Sequence, residues 1–163
     1  MKKIEENITH PLKPIYNQNS KILLLGTMPS IKSRGNNMYY SHPKNRFWIV
    51  LASLFNENIP LTNEEKEEFV LKHNIALWDV LKSCKIKGSS DSSIKDPLAN
   101  NFDIIFSSCN IKAVFTTGKQ ATKLYKELTG KDSIYLPSTS PANCALSIDD
   151  LVNSYKIILT YLL

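Results

Sequence analysis

The feature that most constrains the fold of this chain is the apolar run Ile22–Leu25, which follows Lys21 and stops abruptly at Gly26. A short, nearly unbroken apolar run bounded by turn residues predicts a strand buried on both faces, as in a parallel sheet. The chain then enters a polar and aromatic stretch, residues 37–48. Because open α/β sheets bind ligands beyond the carboxyl ends of their strands, we expect a ligand site next to Gly26.

The rest of the chain alternates between strand and helix patterns. Short apolar and β-branched runs predict three strands, Lys21–Leu25, Ile111–Thr116 and Ser133–Leu136. Amphipathic spacing and capping signals predict helices with Pro43 in the first turn, over Asn63–His73, over Lys119–Leu128 and from Ser147 onward. Residues 85–97 have the composition of one long loop. This alternation predicts an α/β fold with a parallel sheet covered on both faces.

Length and composition limit the class of protein. At 163 residues and 42% hydrophobic, residues 1–163 are expected to form one domain, with 1–20 as a polar N-terminal segment. The longest apolar runs are too short to span a membrane, and residues 1–20 lack a secretory signal pattern. The three cysteines lack Cys-x-x-Cys spacing, which indicates a reducing compartment. We therefore expect a cytoplasmic protein.

The net charge of +5 is concentrated in the first third of the chain. Residues 1–48 carry eight Lys/Arg against two Glu, whereas residues 49–163 carry twelve against thirteen acidic residues. Both arginines, Arg34 and Arg46, lie in the first segment. Basic residues clustered beside aromatics are typical of a phosphate-binding surface for nucleic acid. A solvated lysine-rich surface gives the same pattern.

The segment His42-Pro43-Lys44-Asn45-Arg46-Phe47-Trp48, downstream of Gly26-Thr27-Met28-Pro29-Ser30, resembles the uracil-DNA glycosylase superfamily. The resemblance spans roughly residues 20–160, with further matching pieces at 117–121 and 136–143. In the mismatch-specific uracil/thymine branch, the first motif has an asparagine where this chain has Met28. Gly-Thr-Met-Pro-Ser and Ser-Thr-Ser-Pro-Ala-Asn are more similar to the hypoxanthine (deoxyinosine) branch.

The resemblance implies a three-layer α/β/α fold around a mostly parallel four-stranded sheet, and it places the catalytic amide at Asn45. With the chemistry of the residues, it suggests a base-binding set: Gly26, Thr27, Met28, Pro29, Ser33 and Tyr40. It also suggests a DNA-binding set: Arg34, His42, Gly118, Lys119, Ser138, Thr139, Ser140, Pro141, Ala142 and Asn143. The segment 138–143 is expected to enter the minor groove near the flipped nucleotide.

Cleavage of an N-glycosidic bond builds positive charge on the sugar and negative charge on the departing base, so catalysis is largely electrostatic and positional. We expect the Asn45 amide to hold a water beneath C1′, and backbone N–H groups of residues 26–30 to bind the base edge. Tyr40 is expected to stack on the extruded base. Extrusion costs a few kcal/mol, which stacking at ~1–3 kcal/mol per base offsets.

Structural roles are open for several of these residues. Asn45 also fits a first-turn residue that bonds nearby backbone, and His42 fits an extended residue before Pro43. Ser33 fits either a base contact or a surface turn, and Tyr40 also fits a half-buried packing residue. The segments 138–143 and 118–119 fit ordinary turns, and a helix N-terminus at Gly118-Lys119 also fits a phosphate.

Other aromatic and imidazole side chains are expected to be structural. Tyr39, Phe47 and Trp48 are predicted to pack in the core. His10 and His73 show no partner spacing and are predicted to lie at the surface.

The sequence thus predicts a monofunctional DNA glycosylase that excises deaminated bases, hypoxanthine first, and leaves an abasic site. The alternatives are a uracil or thymine mismatch glycosylase, a non-catalytic nucleic-acid-binding domain and a nucleoside hydrolase. No metal-ligand spacing is present, so no metal is expected. Hydrolysis with water needs no organic cofactor, and none is expected. We expect a monomer that acts on double-stranded DNA carrying a deaminated base and does not bind a membrane.

Overall fold

The computed structural model of the protein describes residues 4–88 and 90–163. Its strands are β1 (Glu5–Thr9), β2 (Ile22–Gly26), β3 (Ile75–Asp79), β4 (Leu81–Lys87), β5 (Lys95–Ala99), β6 (Ala113–Thr117) and β7 (Ile134–Leu136). A four-stranded parallel sheet has the order β3-β2-β6-β7. Strand β2 is paired on both sides and buried at every residue, as its apolar run predicts. The predicted α/β fold is therefore confirmed.

A second sheet, antiparallel and three-stranded, has the order β1-β4-β5. The prediction of a loop over residues 85–97 is wrong, because β4 extends to Lys87 and β5 begins at Lys95. In β4 the buried Cys84 and Ile86 alternate with exposed lysines, which is the period-two pattern of a half-buried strand. Pro97 is compatible with β5 because that strand lies at the edge of its sheet.

The helices are α1 (Ile31–Asn36), α2 (Phe47–Phe55), α3 (Asn63–Lys72), α4 (Asp103–Phe106), α5 (Lys119–Thr129), α6 (Ile148–Tyr155) and α7 (Ile157–Tyr161). The cap predicted for α3 at Thr62, the glycine end of α5 at Gly130 and the Ser147–Asp150 capping box of α6 are present. The predicted start of α2 near Pro43 is wrong. Residues 42–45 form a turn, and the helix begins at Phe47.

The core lies between the parallel sheet and its helices. Helix α2 packs against α6, and α5 packs against β6. Phe47 and Trp48, the first residues of α2, are buried as predicted. Across the described ranges no helix is long and apolar enough to cross a membrane.

Candidate active site

A cavity of about 490 Å³ lies where three strands of the parallel sheet end. The last residues of β2, β3 and β6, which are Gly26, Asp79 and Thr117, all line it. The remaining wall comes from the segments that follow β2 and β7: Thr27, Met28, Pro29, Ser30, Ile31, Lys32, Ser33, Tyr39, Tyr40, His42, Asn45, Ser138, Thr139, Ser140 and Pro141. This is the position at which open α/β sheets bind ligands.

The structure brings most of the predicted site residues together at this cavity. Those that line it are Gly26, Thr27, Met28, Pro29, Ser33, Tyr40, His42, Asn45, Ser138, Thr139, Ser140 and Pro141. Those that do not line it are Arg34, Gly118, Lys119, Ala142 and Asn143. The geometry fixes where these side chains lie, and their roles stay predictions.

The carboxamide of Asn45 lies in the cavity wall just before α2 and is held by its oxygen. Oδ1 accepts hydrogen bonds from the Phe47 N–H at 2.9 Å and from the Thr139 hydroxyl at 2.8 Å. The first bond is the local backbone contact that the structural alternative predicted, so Asn45 has that role and also lines the cavity. Within the described ranges Nδ2 has no hydrogen-bond partner. The amide is therefore fixed in orientation and keeps two N–H donors for a ligand or water.

Tyr40 forms a stacked pair with a core aromatic. Its ring lies 3.8 Å from that of Phe47, centroid to centroid, at an interplanar angle of 14°. Its backbone φ of 53° lies in the left-handed region, and its hydroxyl is 3.1 Å from Oγ1 of Thr117. Burial, and then the negative charge of Asp79, raise the pKa of Tyr40 well above its usual value. The side chain is thus a rigid, neutral aromatic surface at the cavity.

Ser33 is buried, which rules out the surface-turn alternative. Its hydroxyl oxygen accepts hydrogen bonds from the Ser30 hydroxyl at 3.1 Å and from the Ser41 N–H at 3.0 Å. These bonds tie α1 to the segment that carries Tyr40. Tyr39 is buried as predicted, and its hydroxyl donates to the carbonyl of Lys13.

A buried histidine–carboxylate pair at the cavity was not predicted. Nε2 of His10 lies 2.8 Å from Oδ2 of Asp79, and the two side chains are 2% and 5% exposed. The predicted surface position of His10 is therefore wrong. His73 was also misplaced, because it stacks on Phe55 and pairs with Glu57. The reason is the same in both cases: the partner is distant in sequence, 69 residues away for His10 and 16 for His73.

Gly26 is needed for close approach rather than for an unusual backbone angle. A Cβ at this position would lie 2.5 Å from Oδ1 of Asp79 and 3.3 Å from the Tyr40 hydroxyl oxygen. Any side chain here would displace the carboxylate. Glycine at the end of β2 therefore gives Asp79 its place in the cavity wall.

Arg46 holds together two segments of the chain. Its guanidinium donates to the backbone carbonyls of Ser140, Asn143 and Leu146 at distances between 2.5 and 3.2 Å. Arg46, one of the two arginines in the basic first segment, therefore has a structural role. Its side chain instead fixes the segment 140–146, whose first residues line the cavity.

The predicted DNA-binding residues outside the cavity lie close to its edges. Arg34 is half-buried in α1, and its Nη1 has no hydrogen-bond partner in the described part of the chain. Gly118 caps α5 with a φ of 102°, and a Cβ there would lie 3.6 Å from that of Ser138. Lys119 is exposed. Asn143 donates through Nδ2 to the carbonyl of Ser138, which stabilises the turn between them.

The cavity-lining residues that the sequence did not predict are Ile31, Lys32, Tyr39, Asp79 and Thr117. The signal for Asp79 was present, since the run Ile75–Trp78 is apolar and ends in a single carboxylate. It was missed because β3 was not recognised as a strand. Residues 4–88 and 90–163 contain no group of His, Cys, Asp or Glu arranged to hold a metal ion.

Comparison with known proteins identifies the family of this chain. The family model of the uracil DNA glycosylase superfamily matches residues 13–154. The chain therefore belongs to the uracil DNA glycosylase superfamily. Among curated relatives, the hypoxanthine DNA glycosylase of Methanosarcina barkeri (strain Fusaro / DSM 804) is 37% identical over 134 residues, covering 80% of this chain and 85% of the relative.

A second relative, the hypoxanthine DNA glycosylase of Methanosarcina acetivorans, is 35% identical over 133 residues, covering 79% of this chain and 84% of the relative. A solution NMR structure of a Methanosarcina acetivorans protein assigned to the uracil DNA glycosylases superposes with a TM-score of 0.74. It is 26% identical and covers 98% of this chain and 99% of that one. These similarities extend over nearly the whole fold, including the cavity.

Proposed function

We propose that this protein is a monofunctional DNA glycosylase that releases hypoxanthine from deoxyinosine in double-stranded DNA. The observation that carries this proposal is the Asn45 carboxamide in the cavity wall, with Oδ1 bonded to Phe47 and Thr139 and Nδ2 left for a ligand. The two relatives named above carry the same activity in their names.

The chemistry follows from this fixed amide. An N–H of Asn45 donates to a water oxygen and leaves a lone pair of that water directed at C1′ of the flipped nucleotide. As the glycosidic bond breaks, its electron pair leaves with the base, and the sugar becomes an oxocarbenium-like electrophile. Water adds to C1′ and loses a proton to solvent, and the departing base anion takes up a proton, which gives an abasic sugar and free hypoxanthine. Held reactants and fixed dipoles supply the rate enhancement.

The stacked pair of Tyr40 and Phe47 supports base flipping. Phe47 is fully buried, so the Tyr40 ring is held from behind and does not need to be ordered when the base arrives. Base–aromatic stacking contributes ~1–3 kcal/mol per base. We propose that the flipped base stacks on Tyr40, with the segments 26–30 and 138–141 around it.

Water is proposed as the nucleophile in preference to a lysine. Lys32 lines the cavity, but its side chain is exposed, whereas Schiff-base lysines are typically desolvated. Borohydride reduction during turnover is expected to trap no protein–DNA adduct. Trapping that is lost in Lys32→Ala would instead show lyase chemistry.

The test of substrate is base release from a set of duplexes that each carry one inosine, uracil, xanthine or mismatched thymine. Fastest release from the inosine duplex supports the proposal. Fastest release from uracil or thymine mismatches would favour the mismatch glycosylase on the same scaffold, against which Met28 in the first motif argues. Binding without release from any duplex would indicate a non-catalytic domain, and release from free inosine would indicate a nucleoside hydrolase.

We further propose that the protein acts as a monomer in the cytoplasm and binds duplex DNA largely through phosphate contacts near the cavity. The excess of positive charge in residues 1–48 supports the phosphate contacts. Affinity for duplex DNA is then expected to fall steeply with salt.

A further inference from the structure

The pair formed by His10 and Asp79 is a buried, titratable group at the cavity that the mechanism above does not use. His10 follows β1 in the antiparallel sheet, and Asp79 ends β3 in the parallel sheet, so the pair joins the two sheets. His10 lies outside residues 13–154, the part of the chain that the family model matches. His10 reaches the cavity wall through its partner, because Asp79 lines the cavity.

The imidazole is held on both sides. Nδ1 lies 2.9 Å from the Leu12 carbonyl oxygen and 3.2 Å from the Leu12 nitrogen, so it has a backbone partner whether or not it carries a proton. Nε2 faces Oδ2 of Asp79 at 2.8 Å. Because a carboxylate only accepts hydrogen bonds, Nε2 is the donor in this contact. The contact fixes the rotation of the carboxyl group.

Fixing Oδ2 also fixes where Oδ1 points. Oδ1 lies against Gly26, and both Gly26 and Asp79 line the cavity. No hydrogen bond reaches Oδ1 from any residue that the structure describes. Because Asp79 lines the cavity and a carboxylate oxygen only accepts hydrogen bonds, this atom is suited to a donor that a ligand brings into the cavity.

We propose that His10 is a positioning residue for substrate selectivity, which holds Asp79 so that Oδ1 accepts a hydrogen bond from the ring N–H of a lactam base. This inference rests on the proposed function. Hypoxanthine carries N1–H beside its C6 carbonyl, and uracil carries N3–H between two carbonyls. Adenine and cytosine present a lone pair at the corresponding ring nitrogen, which a carboxylate repels. Guanine shares the N1–H, so this contact alone does not reject it.

The test compares two duplexes that differ in this donor. One carries 2′-deoxyinosine, and the other carries 2′-deoxynebularine, whose purine lacks both N1–H and O6. The quantity measured is the ratio of single-turnover base-release rates on the two duplexes. An inactive fraction of enzyme lowers both rates equally, so the ratio is insensitive to partial unfolding.

Four variants and one control are compared with the wild type. His10→Ala is expected to lower the inosine/nebularine ratio by about 10- to 100-fold, the size expected for one charged hydrogen bond. Asp79→Ala is expected to lower the inosine/nebularine ratio at least as much as His10→Ala does. The double variant is expected to match Asp79→Ala alone, because His10 acts only through Asp79. His10→Gln, whose Nε2–H can reach the same carboxylate, is expected to stay within about 3-fold of wild type.

The matched control is His73→Ala, which removes another part-buried histidine–carboxylate pair, that with Glu57, away from the cavity. Its ratio is expected to equal that of wild type. An unchanged ratio in His10→Ala, or losses from His10 and Asp79 that multiply in the double variant, would overturn the inference. Wild-type protein that releases no base from either duplex would instead contradict the proposed function.

Discussion

The hydroxyl of Thr139 donates a 2.8 Å hydrogen bond to Oδ1 of Asn45, across 94 residues of sequence. Thr139 is buried in the segment after β7, and its carbonyl also accepts the N–H of Arg46. The two segments of the site are thus joined at the amide that is proposed to hold the water. Loss of this connection is expected to slow catalysis even where the amide itself is kept.

Replacement of Thr139 separates orientation of the amide from its presence. Thr139→Val keeps the shape but removes the donor to Oδ1, so the amide is held by Phe47 alone. The rate of hypoxanthine release is expected to fall about 10-fold, the equivalent of one hydrogen bond. Thr139→Ser keeps the hydroxyl and is the control, expected to release base at near wild-type rate. Equal rates for the valine and serine variants in single-turnover assays would contradict this role.

The two arginines are expected to respond differently to the same change. Arg46→Met removes donors from three carbonyls and is expected to lower the free energy of unfolding by at least about 2 kcal/mol. Arg34→Met is expected to weaken DNA binding and to reduce the salt slope by about 1, with a smaller loss of stability. Urea denaturation of both variants measures the loss of stability. DNA affinity measured at several salt concentrations gives the salt slope of each variant. If folded Arg46→Met lost more DNA affinity than Arg34→Met, the result would contradict this assignment and indicate that Arg46 contacts phosphate.

Alanine substitutions at two glycines, Gly26 and Gly35, test the effect of adding a Cβ in a crowded and in an open place. Gly26→Ala places a Cβ against the Asp79 carboxylate and is expected to destabilise the protein by about 1–3 kcal/mol and to reduce base release. Gly35 lies in α1, where an added Cβ would meet no described atom within 4 Å, so Gly35→Ala is expected to stabilise by about 0.5–1 kcal/mol. Thermal denaturation of both variants tests this. Similar changes in melting temperature for the two variants would show that the residues around Gly26 move to accommodate the added Cβ.

Burial of tyrosines makes stability depend on alkaline pH. Burial raises the pKa of Tyr39 above its usual value, and Asp79 raises it further. The folded state then keeps a proton that the unfolded state loses above about pH 10, so stability is full below that pH and falls as the pH rises. Tyr39→Phe is expected to reduce this slope by about 1.4 kcal/mol per pH unit. Urea denaturation between about pH 9 and 11 measures it, and an unchanged slope would argue against the shift.

The parallel sheet and the first wall of the cavity could be predicted because their signals are local. An apolar run that ends at Gly26 predicts both a buried strand and the edge at which ligands bind. The residues that cap α3, α5 and α6 likewise lie within four residues of the helix ends that they cap. Asn45, Tyr40 and Thr139 were placed by resemblance, since nothing in their spacing brings them together.

The antiparallel sheet and the Asp79–His10 pair could not be predicted because their partners are far apart in sequence. Strand β4 is interpretable as a strand only from four residues of alternation, followed by a serine-rich turn that favours a loop assignment. His10 becomes significant only when β1 pairs with β4 and brings the imidazole to the end of β3. Arg46 resembles a phosphate ligand until the fold places three carbonyls around it.

The most direct test of the account is the single-turnover rate of hypoxanthine release from an inosine duplex by wild type and by Asn45→Ala, with His73→Ala as the control. We expect rapid release by wild type and by the control. Asn45→Ala is expected to lose at least about 100-fold in rate, as for other positioned polar groups, while its DNA affinity stays within a few-fold. Release by Asn45→Ala at a rate close to wild type would contradict the central role of this amide.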